Sequence, residues 1–224
     1  MARAASPVAL SSVKAAWSKF ARPALYWLGL IPAGWAFYQG FTNQLGAEPI
    51  KTLEQILGLW ALRFLVLGLT ITPLRQIAKV NLLRYRRALG LLAFFYATMH
   101  LGVYVLLDQS LDLGAIWAEI VKRPYITVGM FAFLVLVPLA ITSNNTMIRR
   151  MGGASWAKLH KLVYVAVPAV AIHFIMVVKA WPLEPLVYAA LIAALLGYRV
   201  IRYFLSTSPN LQKQARRATA PAGL

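Results

Sequence analysis

Six long runs of apolar residues divide this chain, and each is long enough to cross a lipid bilayer as one α-helix. An α-helix rises about 1.5 Å per residue, so about 20 residues cross a hydrocarbon core of about 30 Å. Only 13% of the 224 residues are charged, whereas soluble domains have about 25%. We therefore predict an all-α integral membrane protein, a bundle of six transmembrane helices over residues 23–41, 54–72, 88–107, 125–142, 159–178 and 184–204.

The positive charges lie mainly on one side of these spans. They cluster at the N-terminus, between spans two and three, between spans four and five, and after span six, whereas all six Asp and Glu residues fall on the opposite side. The positive-inside rule makes the basic side cytoplasmic, so both termini are expected to be cytoplasmic. Nucleic-acid binding is not expected despite the net charge of +17, because the basic residues form no continuous face.

The remaining segments are too short for a second folded domain. We expect residues 1–22 to form a cytoplasmic N-terminal segment, residues 23–205 the transmembrane domain, and residues 206–224 a disordered basic cytoplasmic tail. The N-terminal segment lacks the apolar core and cleavage site of a secretory signal, so span one is expected to direct insertion. No G-x-G-x-x-G motif is present, which argues against a fused nicotinamide or flavin domain.

Four residues within the spans have side chains suited to chemistry. They are Arg63 on span two, His100 on span three, and His160 and His173 on span five. In a soluble protein, three histidines would be ordinary core or surface residues. In lipid an imidazole needs a partner, which favours a functional role. No carboxylate lies deep within a predicted span, and this argues against a proton- or ion-coupled transporter.

His100 and His173 are the predicted ligands of one metal centre. Spans three and five both run outward, which places these two residues at similar depth in the outer half of the bundle. Zinc would require about four protein ligands, whereas the haem macrocycle supplies most of its own. The chain has no cysteine, so a haem could be held only non-covalently. The pattern favours b-type haem between two imidazoles, an arrangement suited to electron transfer.

His160 lies 13 residues before His173, about 20 Å along a helix, and is left for a second, inner site. Arg86 lies 14 residues before His100, just before span three begins, and on a continuous helix it is within about 40° of the face of His100, where another ligand could have stood. Three interpretations of Arg86 are open. Its charge could set the topology, it could form a salt bridge with a haem propionate, or it could replace a ligand so that the haem has only one histidine ligand. On a straight helix His160 would point about 140° away from His173, a mismatch that a kink at Pro168 could repair.

Arg63 lies midway along span two, where an unpaired guanidinium costs about 3 kcal/mol on insertion scales. Three partners would satisfy it: a haem propionate, a quinone headgroup or a backbone carbonyl. It could equally point into the bundle interior among water molecules. The sequence does not separate the functional from the structural interpretation.

Several segments of the chain resemble the MsrQ family, the haem-binding membrane subunits of the periplasmic methionine sulfoxide reductase system within the ferric-reductase-like transmembrane superfamily. The resemblance covers about residues 23–205. It is carried by GAEPIKTLEQILG before span two, ITPLRQIAKVNLLRYRRALGLLAFFYATMH (71–100), RPYITVGM (123–130), PLAITS (138–143) and WAKLHKLVYVAVPAVAIH (156–173).

The resemblance implies an electron-transfer subunit of the cell inner membrane. It would pass electrons from the quinone pool, or from a flavoprotein donor, through one or two b haems to a periplasmic molybdopterin-containing partner that repairs methionine sulfoxide in envelope proteins. Substrate chemistry would then belong to the partner of a heterodimer. The resemblance alone implies FMN as a further cofactor.

The resemblance also implies haem at His100, His160 and His173. Related ferric reductases carry two histidines on span three, and Arg86 replaces the inner one here. The alternatives are a metal-ion reductase-like cytochrome b, or, from a different class, a haem-free transporter or membrane scaffold.

Overall fold

The computed structural model describes residues 7–178 and 182–207, and every regular element in these ranges is helical. The α-helices are α1 (Pro7–Phe41), α2 (Pro49–Ile77), α3 (Arg86–Val103), α4 (Leu113–Lys122), α5 (Pro124–Ile141), α6 (Asn145–Met151), α7 (Gly153–Leu159), α8 (Val163–Val177) and α9 (Leu183–Thr207). The predicted all-α class is confirmed. Helix α9 includes residues 206 and 207 of the predicted tail, and residues 208–224 lie outside the described residues, as do residues 1–6.

Five stretches among the described residues are long and apolar enough to cross a membrane. They are Pro49–Ile77, Leu83–Asp108, Pro124–Ile141, Gly153–Val177 and Leu183–Thr207, and they correspond to predicted spans two to six. The first predicted span lies within α1 but is not among the five. Its tyrosines, tryptophans, prolines and glycines lower its mean hydropathy. The sixth crossing therefore stays a prediction.

Contacts between helix ends show that successive spans alternate in direction. The Tyr198 hydroxyl donates to Gln76 Oε1 (2.8 Å), which joins the C-terminal part of α9 to the end of α2. Arg87 Nη1 donates to Asn145 Oδ1 (2.7 Å), which joins the start of α3 to the start of α6, four residues after α5 ends. We call this side of the bundle the basic end. The opposite side, with the starts of α2, α5 and α9, holds the six Asp and Glu residues of the chain and is called the acidic end.

Tyr96 joins α3 to α1. Its side chain is fully buried, and its hydroxyl donates to Gly29 O (2.7 Å) and accepts from Ala33 N (2.9 Å). The hydroxyl thus lies between Gly29 O and Ala33 N, the two groups that would form one hydrogen bond of a regular α1 helix. Pro32, the residue before Ala33, has no N–H to donate. The missing side chain of Gly29 lets Leu92 of α3 pack against the α1 backbone. The Tyr96 hydrogen bonds thus fix α3 one turn before His100, and the Leu92 contact fixes it about two turns before.

The span that contains His160 and His173 is interrupted. Helix α7 ends at Leu159, a 3-10 turn covers His160–Leu162, and α8 begins at Val163. The sequence suggested a kink at Pro168 as a possible irregularity of this span; Pro168 lies inside α8, and the 3-10 turn lies before α8, beginning at His160. Span three also ends irregularly, because a π-helical turn, Tyr104–Asp108, follows α3.

The segment between spans three and four contains a short helix that the sequence analysis did not predict. Helix α4 begins after Asp112, whose carboxylate accepts from Ala115 N (2.9 Å). Its exposed apolar residues Leu113, Trp117 and Val121 recur every four residues, so they form one stripe. Such a stripe with a tryptophan is typical of a helix at a membrane interface.

Candidate functional site

The structure brings His100 and His173 together. Their ring centres lie 6.3 Å apart and their planes are inclined at 77°. His100 lies near the end of α3 and His173 near the end of α8, so both are in the acidic half of the bundle. Each residue is only partly buried, which leaves room beside the rings.

Each ring is held by a backbone carbonyl of a neighbouring helix. His100 Nδ1 lies 2.9 Å from Glu54 O on α2, and His173 Nδ1 lies 2.7 Å from Tyr125 O on α5. A carbonyl oxygen can only accept, so each Nδ1 must carry the proton that it donates. In a neutral imidazole the Nε2 lone pair is then free. Among the described residues neither Nε2 has a hydrogen-bond partner.

Two glycines make these contacts possible. Gly58 lies four residues after Glu54, and a Cβ there would lie 3.2 Å from His100 Nδ1. Gly129 lies four residues after Tyr125, and a Cβ there would lie 2.7 Å from His173 Nδ1. Helical side chains point towards the helix N-terminus, so the side chain four residues on would cover the carbonyl that the ring reaches. The same carbonyl–glycine arrangement thus occurs at both histidines.

Neither glycine is recognisable as part of the site from the sequence. A glycine inside a transmembrane helix is a weak signal, although its intrinsic cost of about 1 kcal/mol relative to alanine calls for a packing reason. Gly68 on α2 illustrates the difficulty, because a Cβ there would contact nothing within 4 Å. Only the packing of the helices shows that Gly58 lies against a histidine ring and that Gly68 does not.

The spacing of the histidine pair fits a metal ion bound between the two rings. When two imidazole nitrogens each bind one ion at about 2 Å, the ring centres lie about 6 Å apart. The observed distance is 6.3 Å. In the described part of the chain, no group of three or more His, Asp or Glu side chains could hold a metal ion. The donor set therefore suits a metal that brings most of its own ligands, as iron in haem does.

The structure does not bring His160 to this pair. His160 Nε2 lies 3.0 Å from Thr142 Oγ1, and Trp156 stacks on its ring with the centroids 3.9 Å apart. The Thr142 hydroxyl donates its one proton to Pro138 O (2.7 Å), so it accepts from Nε2–H of His160. The nitrogen that a second metal would need is engaged in this arrangement.

Arg86 lies at the start of α3, close enough to interact electrostatically with His160, as does Arg87. None of the ion pairs of the described residues includes Arg86. All three interpretations of Arg86 that the sequence left open are compatible with this.

Arg63 has partners within the protein. Its Nε donates to the Tyr188 hydroxyl (3.0 Å), its Nη2 lies 3.9 Å from Glu184 Oε1, and its guanidinium lies 4.9 Å from the centre of the Trp60 ring. The carboxylate partner of Arg63 is not evident from the sequence. Glu184 lies at the start of another span, and only the packing of α9 against α2 brings it close to Arg63.

Glu54 lies deeper than the sequence analysis placed it. Helix α2 begins at Pro49, five residues before the predicted span, so Glu54 is well inside the helix. Its Oε1 is buried without a hydrogen-bond partner among the described residues, as is the hydroxyl of Tyr104. The residue whose backbone carbonyl accepts from His100 Nδ1 therefore also has a partly buried side-chain carboxyl group.

Comparisons with known proteins agree with this geometry. Residues 57–184 match the family described as "Ferric reductase like transmembrane component". Proteins of Brucella ovis and Brucella melitensis are each 58% identical to the chain over 183 residues, which is 82% of this chain and 83% of theirs. Both are named "Protein-methionine-sulfoxide reductase heme-binding subunit MsrQ". No solved structure matches the chain significantly.

Proposed function

This chain belongs to the MsrQ family of haem-binding membrane subunits, among the ferric-reductase-like transmembrane proteins, and on that premise we propose that it carries electrons across a membrane through b-type haem. The observation that supports this function best is the pair of imidazoles with ring centres 6.3 Å apart on α3 and α8. Two histidine ligands leave iron no open position, which favours electron transfer over oxygen binding.

In this proposal His100 and His173 bind the iron through Nε2. Glu54 O and Tyr125 O hold the opposite ring nitrogens, which fixes each tautomer and ring orientation and raises ligand basicity. Gly58 and Gly129 leave the space that these contacts need. Bound haem supplies a one-electron carrier that the side chains of this chain lack.

We propose a second haem near His160, at the basic end. Binding there requires His160 Nε2 to leave Thr142 Oγ1, and in this proposal Arg86 would pair with a propionate. Arg63 could bind a haem propionate or a quinone headgroup only in competition with Glu184 and Tyr188, which already contact its guanidinium group.

The rest of the electron path follows from family membership. We propose six crossings of the cell inner membrane with both termini in the cytoplasm, quinol or a flavoprotein as electron donor, and FMN as an additional cofactor. The acceptor is a periplasmic molybdopterin-containing subunit that reduces methionine sulfoxide in envelope proteins. The acidic end of the bundle, with the histidine pair, would then face the periplasm and this partner.

The direct test is a reduced-minus-oxidised absorbance spectrum of the full chain purified from membranes. An α-band of a b-type cytochrome is expected, and folded protein without one would exclude electron transfer through haem. A second measurement identifies the acceptor: quinol should reduce the periplasmic reductase only when this subunit is present. Rapid reduction of ferric chelates without any partner would favour the metal-ion reductase instead.

A further inference from the structure

Arg199 lies near the end of α9, and its side chain points into the bundle. Its Nη2 donates to Leu69 O (2.8 Å) and to Thr72 Oγ1 (3.1 Å), both on α2. In a regular helix, Leu69 O would accept from the residue four positions later. That residue is Pro73, which has no N–H, so the proline leaves the carbonyl free for Arg199. One edge of the guanidinium is thus anchored by the protein.

The other two guanidinium nitrogens lack a hydrogen-bond partner within the described part of the chain. Arg199 Nε and Nη1 are buried, and neither has a hydrogen-bond acceptor among the described residues. A guanidinium remains charged at any physiological pH. A buried charged donor without an acceptor is costly, because it has lost its water without replacement. The geometry therefore calls for an acceptor that the described side chains do not supply.

No carboxylate side chain of this sequence is placed to supply it. All six Asp and Glu residues lie at the acidic end, and the segments outside the described ranges contain none. Arg86 lies close enough to interact electrostatically with Arg199, and the ring of Tyr164 lies 5.4 Å from the Arg199 guanidinium. Two arginines therefore share one region without a counter-ion.

The positive-inside rule does not explain why the Arg199 side chain points into the bundle. Arg202 is one turn further along α9, has the same charge and is exposed. An exposed arginine satisfies the positive-inside rule without any burial cost. The inward position of Arg199 thus needs a different reason.

We propose that Arg199 and Arg86 form a binding site for an oxyanion, the carboxylate or phosphate of a membrane-embedded ligand, at the basic end between α2, α3 and α9. A haem propionate would supply the carboxylate, and in that form the inference rests on the proposed function. The headgroup of an anionic phospholipid or the phosphate of a flavin nucleotide would supply the phosphate, and a phospholipid would bind even in a chain without haem.

The test compares Arg199→Gln with Arg202→Gln, which removes the same charge from an exposed position of the same helix. The full chain is purified with its native cofactors and placed in nanodiscs containing phosphatidylglycerol. Three quantities are measured: haem per protein with its midpoint potential, flavin released on denaturation, and phospholipid retained in native mass spectrometry. Arg86→Gln provides a second variant that keeps the hydrogen bonds of Arg199 to α2.

Each source of the oxyanion gives a different result. A propionate predicts a lower midpoint potential or loss of one haem in Arg199→Gln, because a positive charge near the propionate has been removed. A flavin phosphate predicts loss of at least half of the released flavin, and a phospholipid predicts loss of the bound lipid with haem unchanged. Arg202→Gln should match the unmodified protein throughout. If folded Arg199→Gln and Arg86→Gln also match it in all three measurements, the site does not exist.

Discussion

His173 lies so close to the backbone of Gly129 that a Cβ at residue 129 would be 2.7 Å from its Nδ1. The ring reaches Tyr125 O only because this Cβ is absent. His100 has the same relationship to Gly58, with a longer distance of 3.2 Å. The two contacts give a graded prediction, because the shorter one leaves less space for a methyl group.

Gly129→Ala is expected to weaken haem binding strongly, and Gly58→Ala to weaken it less. Forcing a methyl group into a packed contact costs about 1–3 kcal/mol, which must come from displacement of the histidine ring or of the helices. The measurement is the midpoint temperature of haem release, followed in the α-band. Gly68→Ala is the control, because its Cβ would meet nothing within 4 Å, and it should leave haem binding unchanged. Equal behaviour of all three variants would contradict the proposed role of the glycines.

His100→Ala and His173→Ala should each abolish the proposed haem at the acidic end, because each would remove one of the two side chains proposed to hold its iron. His160→Ala should leave that haem largely intact, since its Nε2 is bonded to Thr142 and not near the pair. Reduced-minus-oxidised spectra of the three purified variants provide the measurement, with circular dichroism as the control for folding. Equal loss of the spectrum in all three folded variants would be inconsistent with this assignment.

The sequence was sufficient to predict the helical class and the proximity of His100 to His173. Both follow from one-dimensional quantities: apolar runs of membrane length, and the depth of a residue counted from the end of its span. Depth is preserved when helices pack, so two histidines on spans that run the same way lie at one level. The break at His160 could not be located in this way, because a 3-10 turn depends on local packing.

The contacts around the histidines depend on which faces of the helices meet. The sequence does not reveal that Tyr125 and Gly129 lie against His173, or that Arg199 lies beside the carbonyl that Pro73 leaves free. Such contacts require the rotation of each helix about its axis. The hydropathy of spans four and five gives little guidance to that rotation, because they are apolar on all sides.

Arg63 and Glu184 permit a double-mutant cycle that separates a structural from a cofactor role. Their 3.9 Å contact is partly exposed, so the coupling energy should be small, about 0–1 kcal/mol. Arg63→Gln, Glu184→Gln and the double variant are compared by thermal stability and by haem midpoint potential. If Arg63 only binds Glu184 and Tyr188, the haem midpoint potential should be the same in all three variants as in the unmodified protein. A drop in potential in both variants that lack Arg63, but not in Glu184→Gln, would indicate that Arg63 acts on the haem.

Thr142→Val provides a test of the second haem. The Thr142 hydroxyl holds His160 Nε2 at 3.0 Å, so it competes directly with any iron for that nitrogen. Valine has a similar shape but removes the acceptor, so it leaves Nε2 of the ring stacked on Trp156 without this hydrogen bond. If His160 binds a second haem, Thr142→Val should retain or raise the ratio of haem to protein, whereas His160→Ala should lower it by about one haem per chain.

The opposite outcome is equally informative. If His160 has only a structural role, both variants should keep the same haem content, and Thr142→Val should lose stability. That loss should be about 1–3 kcal/mol, because the imidazole N–H remains in a partly buried position without its acceptor. Haem content by absorbance therefore assigns His160 to one role or the other, because replacing His160 by alanine lowers the haem content only if His160 is a haem ligand. Thermal unfolding in detergent measures the stability that Thr142→Val loses.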